Sequence, residues 1–313
     1  MLGRSTTLQH SCMLPSRLLV YLRDKIIAFV MAGINRRSGS GVSVFLAVSF
    51  VVHVYEQMFL SNLMPSSHFL VVWNSGGIGK GIAIKLAEHG ANIMAHYNSR
   101  KEGAVETCKS IRSAGNSCEG ILHCDFRSPK AIDDMFSTLD GRWEGELDIL
   151  VNNAGIVSKF AMEDENDDLS VWHETMAVNL HAPVQLSRLA HQRMKTKGDG
   201  VIVMNSSIHG TVSVEWMIAY AASKAALDQV TRGLSSEWAA DGIRVNSVAP
   251  GVVPVERTEA VLNSPDSQKL WLPHLPVGRM GSVDDISEAV AYICSAKWMS
   301  GSVLTIDGGM TAR

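Results

Sequence analysis

The 313-residue chain predicts an α/β fold: a doubly wound parallel sheet of about seven strands in one domain at 67–313, preceded by an atypical extension at 1–66. Three observations predict it. Short, continuous apolar runs at 68–73, 91–97, 147–151, 201–204, 243–248 and 302–306 have the length and composition of strands buried on both faces. Stretches of helical period separate them, the alternation that builds a parallel sheet covered by helices on each side. A glycine-rich turn, Gly76-Gly77-Ile78-Gly79, stands between the first run and the first helix.

Composition narrows the class. With 46% hydrophobic residues the chain can bury a substantial core. The net charge of −3 leaves no electrostatic footprint for nucleic acid, and the longest block of like charge, the acidic run 163–168, reads as a solvated loop. Cys12, Cys108, Cys118, Cys124 and Cys294 form no C-x-x-C pair and do not cluster with histidines. Neither a metal site nor a disulfide framework is therefore expected, and a reducing, cytoplasmic setting is the default.

Residues 1–66 differ from the rest. Arg4, Arg17, Arg23, Lys25, Arg36 and Arg37 stand against Asp24 and Glu56 alone, followed by an apolar run at 42–55 broken by Ser43, Ser49 and His53. About fourteen residues is short of the roughly 20 that cross a bilayer. Three readings stay open: a membrane anchor, an organelle-targeting segment, or a stretch foreign to the fold from an imperfect gene model.

The first strand at 68–73 runs into the glycine turn, and a helix follows to about Leu86. Glycines there let the backbone approach a pyrophosphate, and the helix N-terminus favours its charge. The cofactor-contacting group is thus Gly76, Gly77, Ile78 and Gly79. The second strand ends at Tyr97, before Asn98, Ser99, Arg100 and Lys101, and the third ends at Cys124-Asp125-Phe126.

The fourth strand leads into Asn152-Asn153-Ala154-Gly155, whose small residues allow close backbone passage and whose amides can tie strands together. A helix over 171–194 carries Asn179 among its apolar positions. The chemistry concentrates at 206–224. Tyr220 and Lys224 are four apart on one helix, so the amine lies on the same face as the phenol, and a cation there favours the phenolate. Ser207, at the end of the strand 201–204, offers a hydroxyl to hold a substrate oxygen against that phenol. The helix continues to about Ala240 and stops at Asp241-Gly242, and the strand 243–248 leads to Pro250-Gly251.

Asn152-Asn-Ala-Gly155, the Ser207, Tyr220, Lys224 set and Asn246-Ser-Val-Ala-Pro-Gly251, in this order, resemble the short-chain dehydrogenase/reductase family. The resemblance runs from about His68 to Gly309 and takes in members such as 3-oxoacyl-acyl-carrier-protein reductases and sugar or polyol dehydrogenases. It implies a Rossmann-type fold, a homotetramer or homodimer packed through the helix 171–194, and reversible hydride transfer between NADP(H) and a secondary alcohol or ketone. Tyr220 is then general acid/base, Ser207 positions the oxygen, Lys224 lowers the phenol pKa and binds the nicotinamide ribose, and Asn179 serves a proton relay at a local helix distortion. Asp125 corresponds to the adenine contact; Asn152, Ala154 and Gly155 border the cofactor; Pro250, Gly251 and Val253 pass its nicotinamide end. No acid follows Tyr97, which favours NADP over NAD with Ser99 and Arg100 on the 2′-phosphate.

Two positions depart from the family pattern. Val72 and Trp73 stand where Thr-Gly is usual, and an indole at that turn would obstruct the cofactor or shift the loop onto Gly76. Val255 stands where a Thr normally holds the carboxamide, with Thr258 displaced. These keep open a non-catalytic binding protein of the same fold, beside the alternatives of a 3-oxoacyl-thioester reductase and a membrane-tethered reductase. Residues 254–276 read as a mobile substrate lid, and His209, Glu215, Trp216 and Met217 as pocket residues suited to a hydroxylated substrate.

Overall fold

The computed structural model describes residues 68–72, 76–159, 161–162 and 169–312, all within the unit Leu60–Arg313. The expectations for 1–66, for Trp73 and for the acidic run 163–168 lie outside the described residues.

Seven parallel strands form one sheet in the order β3-β2-β1-β4-β5-β6-β7: β1 His68–Val72, β2 Asn92–Tyr97, β3 Cys118–His123, β4 Ile149–Asn152, β5 Gly200–Asn205, β6 Ile243–Pro250 and β7 Val303–Ile306. The order reverses between β1 and β4, the switch point beyond which ligands enter such sheets. The central strands β4 and β5 are buried at every position, as the apolar runs 149–151 and 201–204 within them require, whereas the edge strand β3 exposes Glu119 and His123.

Helices cover both faces. On one, α1 (Gly77–Glu88) turns Ile82, Ala83, Leu86 and Ala87 inward at helical spacing, beside α2 (Lys101–Ser113). Burying Ile82 or Leu86 contributes about 1.5–3 kcal/mol each. Gly81 lets the last long helix, α9 (Val283–Ser295), approach closely, since a Cβ there would run into Val283. A capping box between Ser282 and Asp285 starts α9, and Arg279 pairs with Asp285 at 2.8 Å. On the other face lie α3 (Pro129–Trp143), capped by Ser128, then α4 (Ser170–Met176), α5 (Ala182–Lys197) and α6 (Ile218–Glu237). The segment after β6 carries two short helices, α7 (Glu259–Leu262) and α8 (Pro265–Trp271).

The helix expected over 171–194 runs from Ser170 to Lys197, and the local distortion expected at Asn179 is a π-helical turn, Ala177–His181, between α4 and α5. Two sequence expectations are corrected in detail. The helix carrying Lys224 ends at Glu237, and a 3-10 turn, Ala239–Asp241, separates it from Gly242. Cys108 of α2 and Cys118 of β3 form a disulfide, where none was expected. Their spacing carries no motif, but α2 folds back beside the strand it precedes, and the two Cα atoms come within 5.3 Å. Cys124 and Cys294 are free and buried, with thiols pushed up to about 12 by burial. Among the described residues, no helix is long and apolar enough to cross a membrane.

Candidate active site

A cleft of about 150 Å³ opens at the carboxyl ends of β1, β4 and β5. Gly76, Gly77 and Ile78 form one end, Tyr220 and Lys224 the other, and Asn153, Gly155, Asn205 and Ser206 the floor between them. Gly77 has φ +60°, a conformation that favours glycine, and a Cβ there would lie 3.1 Å from the Val255 side chain. α1 carries no acidic residue in its first turn, so its unpaired amides and dipole favour an anion at this end. The bare glycine backbone and the basic Arg100 beside it fit a phosphate-bearing group, with Gly76, Gly77 and Ile78 as its cradle.

At the far end Lys224 is 4% exposed, and its Nζ donates to the Asn205 carbonyl at 2.7 Å while standing 5.6 Å from the centre of the Tyr220 ring. Burial pulls its amine down to about 8, opposed by the Asp228 carboxylate. Asp228 lies one turn further along α6, accepts from Ser247 Oγ at 3.2 Å, and is itself pushed up by burial. Burial also raises the Tyr220 phenol above its usual range, and the Ser207 hydroxyl bonded to it opposes the shift. The net direction for the phenol is thus upward, with burial the larger influence. His209 N donates to Ser207 Oγ at 3.2 Å, and the His209 ring meets Tyr220 edge-on at 6.1 Å.

Asn179 lies in the π-helical turn, fully buried. Its Oδ1 accepts from Ile156 N at 2.8 Å, and its Nδ2 donates to Ile156 O at 2.9 Å and Ser223 Oγ at 3.2 Å. A Cβ at Gly155 would stand 3.4 Å from Asn179 Oδ1 and 3.6 Å from Lys224 Nζ, so Gly155 brings the amide and the amine to one place.

The remaining expected residues are set back from the cleft wall. Asn152 points into the core, its Nδ2 donating to Ser187 Oγ at 3.1 Å, because β4 alternates and Asn153 takes the open side. Ala154 borders a small void with Phe126, Val178 and Leu186. Asp125 is bound by Arg127 through bonds of 2.6–3.1 Å, which hold its carboxyl below the usual range, and Arg127 reaches on to Glu174 at 3.1 Å. Gly79 is buried in α1, and Ser99 is exposed beyond β2. Pro250 ends β6 at the pairing with Ile306, Gly251 packs on Asp307, and Val253 packs on Gly281. Sequence reasoning missed Glu256 and Arg257, which line the cleft with Val255. The displaced Thr258 was the signal that this segment takes a different path, and its Oγ1 bonds back to Val255. A second, open pocket beside the start of α6 is walled by Met162, Val214, Glu215, Trp216 and Ile218, with Trp216 at φ +62°.

Residues 72–311 match a family model described as enoyl-(acyl carrier protein) reductase. The chain is 35% identical over 253 residues to a tropinone reductase homologue of Arabidopsis thaliana, covering 78% of this chain and 91% of the relative. It is 32% identical over 249 residues to a 2-dehydro-3-deoxy-D-gluconate 5-dehydrogenase of Pseudoalteromonas atlantica, covering 78% and 95%. Among solved structures, a putative NAD(P)-dependent gluconate 5-dehydrogenase from Beutenbergia cavernae with bound NADP at low occupancy superposes with a TM-score of 0.74. Its identity is 31%, over 81% of this chain and 100% of that one.

Proposed function

The chain belongs to the short-chain dehydrogenase/reductase family of NAD(P)-dependent oxidoreductases acting on alcohols and ketones, and on that premise we propose that it reduces a small ketone with NADPH, Tyr220 donating the proton. The observation that carries this reading is the phenol itself. Tyr220 is hydrogen-bonded to Ser207 and stands beside a buried lysine, whose Nζ is 5.6 Å from the ring centre. A phenol that enters the reaction carrying its proton is set to give it to a carbonyl oxygen.

A reduced nicotinamide bound in the cleft supplies the hydride. Ser207 would hold the carbonyl oxygen against the Tyr220 hydroxyl, so that the phenol proton is delivered as negative charge grows on that oxygen. The Lys224 ammonium, anchored by the Asn205 carbonyl, would stabilise the phenolate left behind. Asn179, tied to Ile156 and Ser223, would hold the route by which that proton is replaced. Arg100 beside the glycine turn, and the lack of an acid after Tyr97, support NADP. The pocket at the start of α6 favours a neutral or cationic ketone over a carboxylic acid, because its described lining is apolar apart from Ser213 and the carboxylate of Glu215.

The test is NADPH oxidation against a panel of cyclic ketones, keto sugars and acetoacetyl thioester, with Tyr220→Phe run in parallel. Turnover of any ketone that Tyr220→Phe lacks supports the reading. NADPH binding without turnover across the panel favours the non-catalytic alternative.

A further inference from the structure

The glycine turn faces a carboxylate across the cleft, that of Glu256. Val255, Glu256 and Arg257, three consecutive residues of the segment after β6, face it across the cleft. The Glu256 carboxylate lies directly over Gly76: a Cβ there would collide with Glu256 Oε2 and stand 3.1 Å from Arg100 Nη2. The other carboxylate oxygen is 4.0 Å from Lys80 Nζ, in the first turn of α1. A carboxylate thus sits where helix amides, a lysine and an arginine converge, the place an anion would take. The position is not imposed by packing, because the Glu256 side chain is 54% exposed and nothing buried holds it.

We propose that Glu256 is a resident competitor for the phosphate cradle, and that it sets both the affinity and the phosphate discrimination of the cofactor site. The inference rests on the dinucleotide reading above. A cofactor phosphate approaching Gly76 meets the carboxylate first, and the two negative groups cannot share the basic residues at that distance. Binding therefore requires Glu256 to swing away, and the segment that carries it runs directly into α7 and α8. Entry of the cofactor is in this way coupled to movement of the region 254–276. NADPH, with an extra phosphate directed at Arg100, is opposed more than NADH.

The experiment measures dissociation constants of NADPH, NADH and 2′,5′-ADP by calorimetry for the full chain, for Glu256→Gln and for Glu259→Gln, an exposed acid outside the cleft wall. Glu256→Gln is expected to tighten NADPH and 2′,5′-ADP by about tenfold or more, the equivalent of roughly 1.4 kcal/mol, and NADH by less, with Glu259→Gln unchanged. Equal affinities in the wild type and Glu256→Gln overturn the competitor role and leave the dinucleotide site standing. Weaker NADH binding by Glu256→Gln overturns it too, and makes the carboxylate a ribose contact. Failure of both proteins to bind any of the three ligands removes the dinucleotide reading itself, and the proposal with it.

Discussion

Ile156 and Asn179 exchange two hydrogen bonds, Ile156 N to Asn179 Oδ1 at 2.8 Å and Asn179 Nδ2 to Ile156 O at 2.9 Å. This reciprocal pair fastens the π-helical turn to the loop after β4, beside Gly155 and Lys224. Replacing Asn179 with Leu strips the partners from both backbone groups of Ile156. We expect a loss of about 2–4 kcal/mol in denaturant unfolding, and a fall in kcat that Asn179→Ser partly restores.

The role of the phenol separates from that of binding. Tyr220→Phe keeps the ring under Lys224 and removes the hydroxyl, with its bond to Ser207. Ketone reduction should fall by about 10²–10⁴-fold, while the NADPH dissociation constant, followed by tryptophan fluorescence, stays within about threefold. A variant that reduces ketones at the wild-type rate would move the acid to another group.

Burial of Lys224 has a pH signature. Burial pulls its amine down to about 8 from its ordinary 10.5, so below 8 both states hold the proton and the full cost of burying the charge is felt. Between about 8 and 10.5 the unfolded chain binds the proton and the folded one does not, so this contribution improves as pH rises. Lys224→Met should therefore unfold at higher denaturant than wild type at pH 7, by about 1–2 kcal/mol, and the gap should close by pH 10. Its catalytic rate should be lost at every pH.

Arg100 has an exposed guanidinium at the glycine turn. Arg100→Ala should weaken NADPH by about tenfold and leave NADH nearly unchanged, measured by titration at two salt concentrations. Equal weakening of both cofactors would place the arginine on the pyrophosphate.

Much of this was legible from the chain. The six apolar runs became six of the seven parallel strands within one or two residues of their expected ends, because central strands buried on both faces leave a hydrophobic signature. The four-residue spacing of Tyr220 and Lys224 fixed their shared helix face, and the glycines marked where backbone must be bare. What stayed hidden was set by partners distant in sequence. Whether Asn152 or Asn153 faces the cleft depends on the pleat of β4 against β5. The capture of Asp125 by Arg127, and the direction of the phenol shift, depend on burial and on where an ammonium finds its acceptor. The path that lays Glu256 over Gly76 spans 180 positions, and nothing local to either residue announces it.

The strand order also governs how the chain can assemble. β1 pairs on one side with β2 and on the other with β4, about eighty residues further along, so the middle of the sheet closes only after the chain through Asn152 is available. A ribosome-bound chain ending before β4 has one flank of β1 open, with its main-chain groups free to pair with another molecule. The three-stranded half β3-β2-β1 is therefore the first unit that can form. Release of β1 from its neighbours would break the sheet between β2 and β4 and leave helix packing, such as that of α1 on α9, to join the two halves; pulse-labelled exchange, in which β1 gains protection no later than β4, checks that order.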